Sequence, residues 1–246
     1  MGAHVLLIVA GLGAGLLNSV AGGGSFLTFP ALVFTGVPSI VANATSTVAL
    51  FPGALASAWA YRRDFASLDK IPLKPALIVS VAGGIVGALL LLFTSQKTFD
   101  IVIPWLLLAA SLTFAFGPRV MRKFRRPWLG PRMLIAFQFL VGIYGGYFGG
   151  AVGIIMLAVW SLAGLRDINA MNGGRTLLGG VMNAAAVVCF IIAGKVWWPQ
   201  TAMMLGGAVA GGYAGARFAR RINPRVIRGI IIAISLLVTA VFFFRR

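Results

Sequence analysis

The sequence predicts an all-α integral membrane protein made of two homologous halves. Three observations carry this. Hydrophobic residues form 60% of the 246-residue chain and charged residues 10%, with a mean hydropathy of +0.98, whereas soluble domains carry roughly 25% charged residues. Apolar runs of membrane-crossing length recur along the chain, and a glycine pattern repeats at a constant offset.

A helix crossing ~30 Å of hydrocarbon needs about 20 apolar residues at ~1.5 Å each. Region 4–36 is too long for one straight span and is interrupted by Ala21-Gly22-Gly23-Gly24. Its second piece, 25–36, would reach only ~18 Å as a helix, half a bilayer. The apolar run starts without a charged leader and shares the repeat, so it is expected to be a retained membrane segment. Full spans follow near 41–61, 73–94 and 99–117. Residues 119–132 hold six Lys and Arg and are expected to form a cytoplasmic linker. Region 133–163 is again broken, at Gly145-Gly146-Tyr147-Phe148-Gly149-Gly150, leaving the short piece 153–163. Spans near 170–193, 197–216 and 226–244 complete the chain. The expected division is a first membrane repeat (1–118), the basic linker (119–132) and a second repeat (133–246). Each repeat has a glycine-broken re-entrant hairpin or short helix pair plus three full spans, 8–10 membrane segments in all.

The repeat shows in Ala82-Gly83-Gly84-Ile85-Val86-Gly87-Ala88, which returns as Ala210-Gly211-Gly212-Tyr213-Ala214-Gly215-Ala216, an offset of 128. The same offset carries Gly22 to Gly150, Gly36 to Gly164 and Ala42 to Ala170. Duplication is a common construction of transporters. Loop charge tests how the halves face. If each broken region enters and leaves on one side, 16 Lys and Arg fall inside against 4 outside. If each is a single crossing, the split is 13 to 7. The first obeys the positive-inside tendency better, so inverted halves are expected.

The balance of 21 Lys+Arg against 4 Asp+Glu could suggest nucleic-acid binding. The bases instead gather between apolar runs, at Arg62-Arg63, Arg119 to Arg132 and Arg217 to Arg228, as membrane loops do. A single cysteine, Cys189, excludes an internal disulfide and a thiolate metal cluster. A single histidine, His4, leaves little for metal or histidine-based catalysis. No HExxH, G-x-S-x-G or intramembrane acid pair supports an enzyme. No cofactor or metal is expected. Asn43-Ala44-Thr45 matches a glycosylation sequon, read here as accidental.

The run Gly22-Gly23-Gly24-Ser25-Phe26-Leu27-Thr28-Phe29-Pro30-Ala31-Leu32, with Gly36, Pro38 to Thr47 and a weaker second copy, resembles the TauE/SafE sulfite exporter family, also called the TSUP permeases. The resemblance spans nearly the whole chain and lies in the order and spacing of glycine-rich motifs. It implies a transporter of sulfite, sulfonates, other organosulfur anions or carboxylates.

Candidate site residues cluster at the breaks. The start of a half-helix presents unpaired N–H groups and partial positive charge, which suit an anion. Gly22, Gly23, Gly24 and Ser25 would supply such donors, as would Gly149 and Gly150 in the second break. Thr45 and Thr47, with Ser46 between them, could add hydroxyls. The alternative for these residues is close helix packing and capping. Asn18, a turn before the break, and Asn183, alone in an apolar run, are amides at membrane depth that need partners. Helix-to-helix bonding would serve them equally well. Arg175, in Asn172-Gly173-Gly174-Arg175-Thr176, is the most informative charge, and the offset sets it opposite Thr47. A cation at that depth costs ~2.5 kcal/mol or more and tends to face a functional cavity. A guanidinium fork suits sulfite, sulfonate or carboxylate oxygens, unless Arg175 snorkels to lipid phosphate. Cys189 reads as a small apolar filler. The six Trp, including Trp59, Trp128 and Trp197-Trp198, read as interfacial anchors.

Asp64, Asp69, Asp100 and Asp167 all fall in or beside loops, so no membrane carboxylate is evident to couple protons or sodium. Outward movement of an anion from a negative interior gains about 2.3 kcal/mol per charge per 100 mV. The expectation is potential-driven or facilitated export of a small anion, most directly sulfite or an organosulfonate, by alternating access. Alternatives are an anion channel of the same architecture, a permease for a small carboxylate, or a non-transporting assembly partner. The partners expected are the anionic substrate and the lipid bilayer, with a homo-oligomer left open and no nucleic acid. Short loops favour a bacterial inner membrane.

Overall fold

The computed structural model describes residues 2–20, 23–60, 71–123, 129–165, 167–218 and 224–244. Among them the chain forms ten α-helices and no strand. These are α1 (Gly2–Val20), α2 (Ser25–Phe34), α3 (Ser39–Ala60), α4 (Leu73–Phe93), α5 (Gln96–Lys123), α6 (Pro131–Tyr147), α7 (Val152–Leu162), α8 (Ile168–Ile192), α9 (Trp198–Phe218) and α10 (Pro224–Phe244). Among the described residues, Leu73–Phe93, Gln96–Gly117 and Ala170–Ile192 are long and apolar enough to cross a membrane, and several shorter apolar helices accompany them. Large apolar side chains such as Ile78, Phe93, Ile192 and Leu237 stand exposed, as a lipid solvent permits.

Both glycine-rich regions break where the sequence breaks. At ~1.5 Å per residue, α2 (10 residues) and α7 (11 residues) span ~15 Å, half a bilayer. Both end alike. Gly36 (φ 88°) and Gly164 (φ 85°) take the left-handed conformation that closes a helix. Val37 N–H then returns to Leu32 C=O, and Leu165 N–H to Trp160 C=O, each at 3.1 Å. The basic linker begins later than expected: residues 119–123 continue α5, because Lys and Arg are good helix formers. Residues 124–128 lie outside the described residues.

The chain turns back at the first break. A Cβ on Gly24 would lie 2.7 Å from Ala14 O, and one on Gly13 would lie 2.9 Å from Leu27 Cδ1, so α2 runs back along α1. At the second break Val152 Cγ2 lies 3.2 Å from a Cβ on Gly145, and Gly149 N–H reaches Tyr144 C=O at 3.1 Å.

The tightest packing joins helices of different halves. Against α9, Gly11 faces Met204 and Gly15 faces Ala208, so α1 and α9 run parallel with backbones in contact. In the same way Gly83 faces Phe139 and Gly87 faces Ile143, so α4 and α6 run parallel. Small residues allow this approach, which supplies dispersion contact where lipid offers no hydrophobic drive. Helices α3 and α8 meet each other at the centre, as do α5 and α10. Ser111 Oγ and Thr239 Oγ1, which are 128 residues apart, face each other at 3.4 Å between α5 and α10.

Polar contacts fix the levels of the helices. Trp197 N–H, at the start of α9, donates to Thr45 Oγ1 (3.1 Å), and Asn43 Nδ2 donates to Tyr147 C=O at the end of α6 (2.9 Å). Ser39, Gln96 and Asp100 bond together at the starts of α3 and α5. One end of the bundle therefore holds the starts of α1, α3, α5 and α9 with the end of α6, so α1 and α6 run in opposite directions.

Candidate anion site

Residues from both breaks and from α3, α5 and α8 line a partly open cavity of about 180 Å³. Its wall includes eight of the residues singled out in the sequence: Asn18, Gly23, Ser25, Ser46, Thr47, Gly149, Arg175 and Asn183. The starts of both half-length helices reach it. Gly23 and Ser25 stand at α2, and Ala151, Val152 and Gly153 at α7. Gly23 and Ala151, 128 residues apart, both have positive φ (96° and 59°). For alanine this is an uncommon conformation, held here at the mouth of a helix.

Arg175 lies two turns into α8, half-buried. A Cβ on Gly153 would come within 3.1 Å of its Nη1, so the guanidinium lies over the first turn of α7. The fork and a helix start thus present positive potential to the same space. Across the cavity, Thr47 donates its hydroxyl to Asn43 C=O (2.9 Å), which leaves only oxygen lone pairs for the cavity. Phe114, Phe148, Leu50 and Ile154 supply an apolar portion of the wall. The described wall contains no Asp or Glu.

Other candidates lie elsewhere. Thr45 is fully buried and accepts Trp197 N–H, tying α3 to α9. Gly24 N–H is taken by Asn18 Oδ1 (2.8 Å), so it is not offered to a ligand. Gly150 is buried and its carbonyl accepts the Tyr144 hydroxyl at 2.7 Å. Asn172 and Gly173 precede the wall, and Gly173 C=O accepts the Thr176 hydroxyl at 2.8 Å. Gly22 lies outside the described residues. Residues not singled out for the site but present in its wall include Gly153, Thr176, Gly179 and Phe114. Gly153 was findable, because the 128 offset maps Ser25 onto it.

Among the tryptophans, Trp105, Trp197 and Trp198 are exposed, whereas Trp160 is fully enclosed with Leu134, Met156 and Leu165. The expectation that all six are interfacial anchors therefore fails at Trp160, which stands in the last turn of α7 but is covered by apolar residues of α6 and α8. Cys189 is a half-buried free thiol. Trp128, Asp64 and Asp69 lie outside the described residues.

The family model described as "Sulfite exporter TauE/SafE" matches residues 7–242. A "Probable membrane transporter protein" of Haemophilus influenzae is 30% identical over 239 residues, 96% of this chain and 92% of its own length. The "Probable membrane transporter protein YfcA" of Escherichia coli K12 is 32% identical over 240 residues, 96% and 87%. A "Probable membrane transporter protein YunE" of Bacillus subtilis is 24% identical over 264 residues, 95% of each. These bacterial relatives are membrane transporters by name, not enzymes. With nearly its whole length matched, this multi-pass membrane protein belongs to the TauE/SafE sulfite exporter family.

Proposed function

We propose that the protein exports a small anion, sulfite or an organosulfonate, across a bacterial inner membrane by alternating access at this cavity. One observation carries the reading: Arg175 and the starts of two half-length helices converge on a single space whose described wall holds no acid. Preorganised donors of this kind favour negative charge and disfavour cations. Inverted halves belong to the same reading, and two features support them. Each break is a hairpin, and α1 and α6 start at opposite ends of the bundle, so each half makes an odd number of passes. With no carboxylate in the described wall, the reading takes the membrane potential as the driving force for an outgoing anion.

Thermal stability of the purified protein in detergent, screened with sulfite, sulfate, thiosulfate, small sulfonates and carboxylates, tests the reading, since a ligand of the folded state raises stability by mass action. Selective stabilisation by sulfur oxyanions or sulfonates supports it. Stabilisation by carboxylates alone changes the substrate, and no response to any anion removes the site.

A further inference from the structure

We infer that Asn18 sets the charge preference of the cavity: Gly24 holds its amide by the oxygen, so that the amide presents only N–H groups to the substrate. This rests on the anion reading above and assigns a residue to it. Asn18 forms part of the cavity wall, and one of its atoms lies 2.8 Å from Gly24 N. A backbone N–H can only donate, so the atom facing it must be Oδ1, and the amide cannot be turned over. The remaining Nδ2 carries two donors, and no acceptor engages it among the described residues.

Gly24 makes the arrangement possible in a second way. A Cβ there would lie 2.7 Å from Asn18 Nδ2 and 2.9 Å from its Cγ. Only glycine leaves room for the amide against the turn. The break therefore does more than end a helix, because it clamps one end of a side chain whose other end is a donor. Ser25 also lines the cavity, so the first hairpin brings a hydroxyl and an amide N–H₂ to the space that Arg175 also lines.

Aspartate at position 18 separates the two jobs of the amide. In Asn18→Asp one carboxylate oxygen still accepts Gly24 N–H, a charge-assisted bond that preserves the turn. The other oxygen replaces a donor with a negatively charged acceptor. Protonation of that oxygen restores a donor. The titration would be unusually clear, because Arg175 is the only charged side chain in the described wall. Helices α2 and α3, packed on α1, contain no titratable residue. Of the others packed on α1, α9 carries Tyr213 and Arg217 and α10 carries Arg225 and Arg228.

The test is binding of sulfate and methanesulfonate to the purified full-length protein; both stay ionised from about pH 8 down to about pH 3, a window low enough to protonate a carboxyl held down by the Gly24 N–H and Arg175. Asn18→Asp should melt like the wild type without ligand and bind about tenfold to a hundredfold more weakly near pH 7.5. It should regain affinity as pH falls and the carboxylate protonates, while the wild type stays flat. A merely structural Asn18 would produce no such pH profile. Wild-type-like affinity at all pH values in Asn18→Asp, with the wild type binding normally, would overturn the inference and leave the anion site standing. A wild type that binds no anion overturns the anion reading itself. Should Asn18→Asp not fold, selective ¹⁵N-asparagine labelling of the wild type decides. A saturable shift of the Asn18 Nδ2 resonance with methanesulfonate supports the inference, and an unmoved resonance overturns it.

Discussion

Arg175 and Gly24 show how differently two candidates from glycine-rich motifs of the two halves can act. Arg175 lies over the start of α7 at Gly153 and forms part of the cavity wall. Arg175→Ala should weaken anion binding by about tenfold to a hundredfold, the range of a charged hydrogen bond. Arg175→Lys should recover only part of this, because an ammonium lacks the planar fork. Equal affinity in wild type and both variants, measured by anion titration, would make Arg175 an interfacial anchor. Gly24→Ala acts on folding first. Its methyl would meet Ala14 O and Asn18 Nδ2, both at 2.7 Å, so thermal melting should show a loss of about 1–3 kcal/mol. Both residues were legible as candidates in the sequence. Which of them faces the substrate was not, because a glycine's N–H is free or taken according to what the neighbouring helix brings to it.

Helix α1 and helix α4 are locked to partners outside their own halves. A Cβ on Gly211 would lie 1.9 Å from Leu12 O, and one on Gly87 would lie 2.1 Å from Ile143 O. Gly211→Ala and Gly87→Ala should each lower the melting temperature, because each Cβ would enter the backbone of the facing helix. Gly206→Ala supplies the control. Nothing lies within 4 Å of its Cβ, and replacing a helical glycine gains up to about 1 kcal/mol. Similar melting of all three variants would show that the glycine contacts are not close in solution. The helices themselves were legible: breaks, half-length pieces and most helix limits fall within a few residues of where hydropathy puts them. The basic stretch after residue 118 misled only in its first residues, since positive charge marks a loop by topology and not by helix propensity.

The whole molecule divides along a line that the chain halves do not follow. One group of packed helices is α1, α2, α3 and α9 and another is α4, α6, α7 and α8, with α5 paired to α10 and touching both groups, and residues of both groups line the cavity. Alternating access, as proposed here, would move these mixed groups against each other about the α3–α8 contact and would not rock half against half. Phe29 and Phe148 face each other across the two groups, with ring centroids 6.0 Å apart. Ser80 and Gln138 bond at 2.9 Å within one group. In a protein with Cys189 replaced by Ala, a short thiol cross-linker joining cysteines at 29 and 148 should arrest flux in proteoliposomes. The same reagent joining cysteines at 80 and 138 should leave it intact, and arrest by both would indicate a different moving unit. Flux should also follow an imposed potential without sodium, and strict sodium dependence would sink potential-driven export.

By itself the sequence determined the solvent, the helices and the places where they break. Those properties depend on composition, apolar run length and glycine placement, all local along the chain. It also carried the offset that relates Ser25 to Gly153 and Thr47 to Arg175. Tertiary structure alone decided that Thr45 bonds α9 while its neighbour Thr47 lines the cavity. It likewise decided that Gly24 clamps Asn18 and that each half is locked to the other. These outcomes depend on which surfaces of distant helices meet. In a bilayer that choice rests on close backbone approach and polar pairing, and hydropathy along a single strand of sequence does not record it.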